Sequence, residues 1–317
     1  MDVPDLVDRA RRGEPRAVAR LISLVEDASP LLRDVMAALA PHTGHARVIG
    51  LTGSPGVGKS TSTAALVAAY RKRGMRLGVL AVDPSSPFSG GALLGDRVRM
   101  QEHATDHEVF IRSMASRGHL GGLSWATPQA IRVLDAAGCD VILVETVGVG
   151  QAEVEIASAA DSTVVLLAPG MGDGIQAAKA GILEIADVFV VNKADRDGVD
   201  QTARDLRHML SLGEHQDPDG WKPRIVKTVA SRGQGADDVV DALEQHAEWL
   251  TRTGELGRRR RTRACNEIEA IAVAALRTRM GDLRGTAALA ALADRVLAGE
   301  FDPYTAADRL MDSLTVA

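Results

Sequence analysis

One eight-residue stretch limits the possible folds of this 317-residue chain more than any other feature. It reads Gly53-Ser54-Pro55-Gly56-Val57-Gly58-Lys59-Ser60 and matches the pattern GxxxxGK[ST] at every fixed position. A short β-rich run from Val48 to Thr52 precedes it, and a helical pattern from Ser60 to Arg73 follows. Strand, glycine loop and helix in this order form the setting in which backbone N–H groups cradle phosphates. The segment therefore predicts a nucleoside triphosphate site within an α/β fold.

The parts of this loop have distinct expected roles. The glycines let backbone N–H groups turn towards the phosphates, while Lys59 adds a cation near the β- and γ-phosphates. Ser60 can offer its hydroxyl to Mg²⁺, and we also expect Lys59 to take part in catalysis. The predicted nucleotide contacts of this segment are Gly53, Ser54, Pro55, Gly56, Val57, Gly58, Lys59, Ser60 and Thr61.

Further apolar runs, most of them separated by helix-length segments, predict a mostly parallel sheet with helices on both faces. The strands predicted after the first one are Leu77 to Val82, Val109 to Ile111, Val141 to Val144, Thr163 to Ala168, Val188 to Val191 and Ile225 to Thr228. We interpret residues 1–45 as an N-terminal helical extension, 46–250 as the P-loop domain and 251–317 as a C-terminal helical arm. Because this alanine-rich arm is too thin to hold its own core, we expect it to pack on the main domain or on a second copy, and we favour a homodimer.

A carboxylate ends one of the predicted strands. Glu145 directly follows the run Val141 to Val144, and Gly148 comes three residues later. In P-loop proteins an acid at this place reaches Mg²⁺ or orients the attacking water, and the glycine N–H can sense the γ-phosphate. Glu145 and Gly148 are therefore predicted catalytic residues, and Glu145 is also a predicted metal ligand.

The choice of base is predicted from Asn192-Lys193-Ala194-Asp195, which follows an apolar strand. Asp195 can accept hydrogen bonds from the guanine ring N–H and amino group, which adenine does not present on that edge. A buried carboxylate left unpaired by the wrong base is costly, so the motif favours GTP and GDP over adenine nucleotides. Lys193 is expected to lie along the base plane.

Two more acids are candidate Mg²⁺ partners. Asp83 directly follows the run Leu77 to Val82. Asp96 follows Gly90-Gly91 and Gly95 in a polar loop that is expected to close over the γ-phosphate. The same residues also fit ordinary turn chemistry, because Asp83-Pro84-Ser85-Ser86 is a common turn sequence. From the residues alone, a role in Mg²⁺ binding and a purely structural role in a turn both stay open for these acids.

Composition bounds the partners. The net charge is −5 and aromatic residues make up 3% of the chain, so we do not expect nucleic-acid binding. We interpret the basic run Arg258 to Arg263 as a solvated helix face or as a contact for an acidic partner. Cys139 and Cys265 lie far apart without a CxxC pattern, which favours a reducing cytoplasm. No apolar run reaches the roughly 20 residues of a membrane span, so we expect no membrane partner.

Several long stretches resemble one family of P-loop proteins. They are Ala81 to Gly91, Leu94 to Arg97, Ser116 to Gly122 and Glu145 to Gln151. Together they closely resemble the methylmalonyl-CoA mutase-associated GTPases of the MeaB or ArgK type. The resemblance extends from the N-terminal helices to Asp302-Pro303-Tyr304 and so covers nearly the whole chain.

This resemblance implies a homodimeric, Mg²⁺-dependent GTPase that acts as a chaperone for an adenosylcobalamin-dependent mutase. It implies that GTP binding and hydrolysis are coupled to loading of intact cofactor and to protection of the mutase. It also places Asp83 and Asp96 with Mg²⁺ and a switch loop, and Glu145 in the metal and water network. Members have also been labelled as kinases linked to basic amino-acid transport, which is the alternative we retain.

Two positions depart from the usual GTPase pattern. The last guanine loop commonly carries Ser-Ala, but this chain has Val229-Ala230-Ser231, so a serine contact is absent and we expect the Ala230 N–H to meet the guanine oxygen. In Ras-type GTPases a glutamine follows the glycine equivalent to Gly148, whereas Val149 stands here. Slow intrinsic hydrolysis is therefore predicted, with Gln151 or an arginine such as Arg97, Arg99 or Arg117 acting only when a partner is bound.

Overall fold

A computed structural model describes residues 2–83, 103, 105–115, 126–146, 152–170, 183–213, 220–280 and 286–315. The chain divides into two compact units, residues 1–257 and residues 258–317. The first unit contains a seven-stranded sheet and most of the helices, and the described part of the second unit consists of helices and the turns between them.

The sheet has strand order β3-β2-β4-β1-β5-β6-β7, and every pair of neighbouring strands is parallel. The strands are β1 Arg47–Gly53, β2 Leu77–Asp83, β3 Val109–Ala115, β4 Val141–Thr146, β5 Ser162–Leu167, β6 Val188–Val191 and β7 Arg224–Lys227. The predicted fold class is confirmed. Several strands are longer than predicted, and β3 extends furthest: it continues past Ile111 because it pairs with β2 along its whole length, up to the pair Asp83 and Ala115.

Helices cover both faces of this sheet. Those of the first unit are α1 Val3–Arg11, α2 Pro15–Glu26, α3 Leu32–Leu39, α4 Lys59–Lys72, α5 Thr127–Ala136, α6 Ala152–Ala159, α7 Val199–Gly213 and α8 Ala236–Arg252. A 3₁₀ turn Ala40–His42, a short helical turn Leu183–Ile185 and a second 3₁₀ turn Ala230–Arg232 complete the unit.

Alternate residues of each strand pack into different cores. Ile49 and Leu51 join a cluster with α4 and α8, whereas Val48 and Ile142 join a cluster with α1, α2, α3 and α5. This alternation follows from the two-residue period of a strand, and both faces are apolar because helices cover both. The N-terminal helices therefore share a core with the sheet, with Leu21 fully buried between them.

The segment that leads into the first strand is held in place by one carboxylate. Asp135, in α5, accepts hydrogen bonds from three consecutive backbone N–H groups, those of Gly44, His45 and Ala46, at 2.5, 3.2 and 2.9 Å. These residues join the N-terminal helices to β1, which begins at Arg47. The side chain thus fixes the direction in which the chain enters the strand that leads to the glycine loop.

The second unit has little buried apolar surface. It contains most of α9 Glu255–Met280, together with α10 Ala287–Leu297 and α11 Pro303–Thr315. Among its described side chains only Leu310 is buried, and Ile268 and Leu276 of α9 are 67% and 57% exposed. Within the parts of the chain that the structure describes, no helix is both long and apolar enough to cross a bilayer.

Candidate nucleotide-binding site

Several of the predicted site residues that the structure describes lie at the carboxyl-terminal edge of the sheet. The glycine loop follows β1, Glu145 lies near the end of β4, and Asn192 follows β6 directly. Thr228, just after β7, brings the final loop to the same edge. Ligands bind at this edge in open parallel sheets, and β1 lies between β4 and β5 near the middle of the strand order.

Close backbone packing explains two glycines of the phosphate loop. A Cβ added at Gly53 would lie 2.3 Å from the Leu166 carbonyl oxygen, and one added at Gly58 would lie 2.5 Å from Nδ2 of Asn192. Both residues also have positive φ, 144° and 96°. Val57 between them is buried in the core below the loop, so the loop is anchored by one apolar side chain and shaped by glycine on either side.

Lys59 reaches back across the loop that it terminates. Its Nζ donates to the carbonyl of Gly53 at 2.7 Å and to that of Ser54 at 3.2 Å, and the side chain is only 8% exposed. These contacts hold the ammonium group inside the curve of the loop. That position suits a cation that meets the β- and γ-phosphates.

The carboxylate of Glu145 is held by two hydroxyls of α4. Ser60 donates to Oε1 at 2.7 Å, and Thr63 donates to Oε2 at 2.8 Å. All three side chains are buried, with Glu145 4% exposed. Thr63 was not predicted from the sequence, although its spacing of three residues from Ser60 puts the two on one helix face.

Asn192 joins the phosphate loop to the last loop of the site. Its Nδ2 donates to the Val57 carbonyl at 2.8 Å, while its Oδ1 accepts from the Thr228 hydroxyl and from the Ala230 N–H, both at 3.1 Å. Asn192 is 3% exposed. This side chain therefore acts as a brace between the two loops, and Thr228 is a second residue that the sequence did not predict.

Lys193 and Asp195 take different positions. Lys193 has φ 58° and donates from Nζ to the Gly56 carbonyl at 2.6 Å, which lays its aliphatic stem along the loop. Asp195 is 41% exposed and pairs with Arg232 at 4.0 Å. The carboxylate is thus accessible at the surface where guanine recognition is predicted.

The loop Val229-Ala230-Ser231 forms part of a tight turn. Val229 N–H donates to the Gln234 carbonyl at 3.0 Å, and Ser231 is exposed. The Ala230 N–H, predicted to meet the guanine oxygen, donates to Asn192 here. A backbone N–H can be shared between two acceptors, so the guanine contact stays a prediction.

The structure describes some of the remaining predicted site residues and not others. Ser54 and Thr61 are half-buried and Pro55 is exposed. Asp83 ends β2 at the same edge as Glu145, but its side chain is not described. Asp96 and Gly148 lie outside the described residues, as do Val149, Gln151, Arg97, Arg99 and Arg117. Among the side chains that are described, no three His, Cys, Asp or Glu groups are arranged to hold a metal ion.

The parallel sheet, the glycine loop and the buried Ser60–Glu145 pair define a P-loop nucleotide-binding protein. Comparison with known families makes this more specific. Residues 18–283 match the family described as the methylmalonyl-CoA mutase-associated GTPase MeaB, and the chain belongs to that family. It is a P-loop GTPase.

Individual relatives agree with this assignment. GTPase ArgK of Escherichia coli is 38% identical over 257 residues, which is 79% of this chain and 77% of that protein. A Pyrococcus abyssi protein, named as a candidate GTPase, is 46% identical over 313 residues, 98% of this chain and 97% of that protein. A mouse protein named methylmalonic aciduria type A homolog, mitochondrial, is 39% identical over 216 residues, 68% of this chain and 52% of that protein.

A solved structure supports the fold along the whole chain. The crystal structure of a LAO/AO transport system kinase has a TM-score of 0.73 and 26% sequence identity, and the match covers 99% of this chain and 97% of that one.

Proposed function

We propose that this GTPase assists and protects an adenosylcobalamin-dependent mutase, with methylmalonyl-CoA mutase as the first candidate. GTP binding and hydrolysis would be coupled to the loading of intact cofactor onto the mutase. The observation that carries this proposal is the match of residues 18–283 to a family described as mutase-associated. The mouse relative named for methylmalonic aciduria supports the same partner.

Hydrolysis in this proposal depends on Mg²⁺. Ser60 and Glu145 supply a hydroxyl and a carboxylate oxygen within 2.7 Å of each other, and such hard oxygen donors suit this ion. Ser60 and Glu145 would hold the ion, and Asp83 and Asp96 are proposed as further partners. The ion would neutralise charge on the β- and γ-phosphates while Lys59 orients them.

Guanine selection is assigned to Asp195. Its carboxylate is exposed at the site edge, and Asn192 and Lys193 hold the surrounding backbone against the phosphate loop. Guanine offers a ring N–H and an amino group to such a carboxylate, and adenine does not. Asp195→Ala should therefore reduce the preference for GTP over ATP by about 10-fold or more, because a hydrogen bond to a charged group contributes about 1.5–3 kcal/mol.

The decisive experiment compares GTP and ATP hydrolysis by the full chain with and without methylmalonyl-CoA mutase. We expect slow turnover of GTP alone, little turnover of ATP, and stimulation by the mutase. Asp195→Ala serves as the control for base selection. Equal GTP turnover with and without the mutase would contradict the partner-stimulated mechanism, and ATP preference would contradict the role of Asp195.

A kinase activity is the second candidate. It is favoured by the similar structure that is titled a LAO/AO transport system kinase. A kinase needs a base beside an acceptor hydroxyl. Among the histidines near this part of the chain, Nε2 of His103 lies 3.2 Å from the Ala64 carbonyl oxygen and His107 is exposed, while His119 lies outside the described residues. Transfer of radiolabel from GTP to a small molecule or a protein would favour this alternative.

We also propose that the protein acts in the cytoplasm as a homodimer joined through its second unit. Part of α9 carries an apolar stripe along one face, formed by residues that recur at helical spacing: Ile268, Ile271, Ala272, Ala275 and Leu276. The larger members, Ile268, Ile271 and Leu276, are exposed within a unit that buries little. An apolar stripe of this kind is suited to pairing with the same helix of a second copy.

A further inference from the structure

Thr63 lies beneath the proposed metal site and contacts its carboxylate. The residue is 0% exposed, in the second turn of α4. Its Oγ1 lies 2.8 Å from Oε2 of Glu145 and 3.1 Å from the carbonyl oxygen of Lys59. The threonine thus connects the helix that carries Ser60 to the end of the strand that carries Glu145.

A threonine hydroxyl has one proton and must choose between these two acceptors. The carboxylate is nearer, and hydrogen bonds to an ionised acceptor are about twice as strong as neutral ones. Donation to Glu145 is therefore favoured over donation to the Lys59 carbonyl. Thr63 is fully buried and β-branched, so packing restricts rotation about its χ1 angle. The hydroxyl is therefore held in the direction of Glu145.

Neighbouring hydroxyls do not duplicate this contact. Ser60, Thr61, Ser62 and Thr63 follow each other in α4, but the helix turns Thr61 and Ser62 away from the face that Ser60 and Thr63 share. Within the described part of the chain, the buried Oγ of Ser62 has no hydrogen-bond partner. Ser60 and Thr63, three residues apart, are the two whose hydroxyls meet the carboxylate.

We propose that Thr63 is a positioning residue for GTP hydrolysis. By donating to Oε2, Thr63 orients the Glu145 carboxylate so that Oε1 keeps its hydrogen bond with the Ser60 hydroxyl. Oε1 of Glu145 and Oγ of Ser60 are then both in place for Mg²⁺. The proposal rests on the proposed metal role of Ser60 and Glu145. Side chains that orient metal-binding groups typically change metal affinity or activity by about 10–100-fold when they are removed.

The test uses three variants of the full chain: Thr63→Val, Thr63→Ser and Thr202→Val. Thr63→Val keeps the shape and removes the hydroxyl, and Thr63→Ser keeps the hydroxyl. Thr202→Val is the matched control because Thr202 is also a buried helical threonine, with its hydroxyl 3.1 Å from the carbonyl four residues earlier, that of Gly198. Both valine variants thus lose a hydroxyl beside an i−4 carbonyl, but only Thr63 lies against a carboxylate.

Two quantities are measured for each variant. The first is the Mg²⁺ concentration that gives half-maximal GTP turnover. The second is the Mg²⁺ dependence of the release rate of a fluorescent GDP analogue, which does not require hydrolysis. For Thr63→Val we expect the Mg²⁺ requirement to rise about 10-fold in both assays, with the KM for GTP at saturating Mg²⁺ nearly unchanged. Thr63→Ser and Thr202→Val should behave as the unaltered protein does.

Glu145→Gln separates the possible failures. If this variant raises the Mg²⁺ requirement and Thr63→Val does not, the role of Thr63 is wrong and the metal role of Glu145 stands. If Glu145→Gln has no effect either, the proposed metal site and the inference both fail. Should Thr63→Val not fold, Thr63→Ala is compared with Thr63→Ser, and equal Mg²⁺ requirements for these two would overturn the proposal.

Discussion

Some residues of the predicted nucleotide site also hold other parts of the site in place. Asn192 and Lys193 both contact the phosphate loop, through the carbonyls of Val57 and Gly56. Asp195, in contrast, is exposed. The four-residue motif that predicts guanine therefore combines two bracing side chains with one exposed carboxylate, and the carboxylate is the group to which we assign base selection.

Two glycines of the phosphate loop should respond differently to alanine. Gly53→Ala places a methyl group against the Leu166 carbonyl, whereas nothing lies within 4 Å of a Cβ at Gly56. Both positions have positive φ, 144° at Gly53 and 79° at Gly56, so alanine strains the backbone at each. Gly53→Ala should lower the free energy of unfolding by about 1–3 kcal/mol more, as overpacking does. Urea unfolding of both variants measures the difference, and equal losses would show that the loop can move away from Leu166.

The order of secondary-structure elements could largely be predicted from the sequence. Short apolar runs separated by helix-length segments indicate buried parallel strands, and all seven predicted strands are present. The strand order could not be derived in this way, because it depends on which crossover packs on which face. Nor could the contacts of Thr63 and Thr228 be predicted, since each depends on the spatial alignment of elements more than 30 residues apart.

At the scale of elements, the Asp135 carboxylate should be needed to join the N-terminal helices to the sheet. Asp135→Ala removes the carboxylate to which the N–H groups of Gly44, His45 and Ala46 donate. We expect the free energy of unfolding to fall by about 1–3 kcal/mol and amide exchange at these residues to accelerate. Asp140→Ala is the control, because Asp140 accepts one backbone N–H, that of Arg76. A loss no larger than in this control would contradict the fastening role.

The chain consists of one unit with a large apolar core and a second unit whose described side chains bury little apolar surface. A helical unit that buries so little apolar surface gains little stability from its own packing. Pairing with a second copy would bury the stripe on α9, and this is why the oligomeric state belongs to the function proposed above.

Charge on this stripe should separate the copies. The double variant Ile268→Glu with Leu276→Glu places two carboxylates in the proposed interface, where they would be desolvated and would repel their counterparts. We expect light scattering to give a dimer for the unaltered chain and a monomer for this variant. Ala270→Glu with Ala274→Glu adds the same charge away from the stripe and should leave the dimer intact. A monomer before any substitution would refute the proposed dimer.

The brace formed by Asn192 also has a thermodynamic consequence. One carboxamide bonds the Val57 carbonyl in the phosphate loop and the Ala230 N–H in the guanine loop. Ordering either loop therefore lowers the conformational cost of ordering the other, and coupling of this kind is reciprocal. The base and the triphosphate of one nucleotide should consequently bind cooperatively, each increasing the affinity for the other by the same factor.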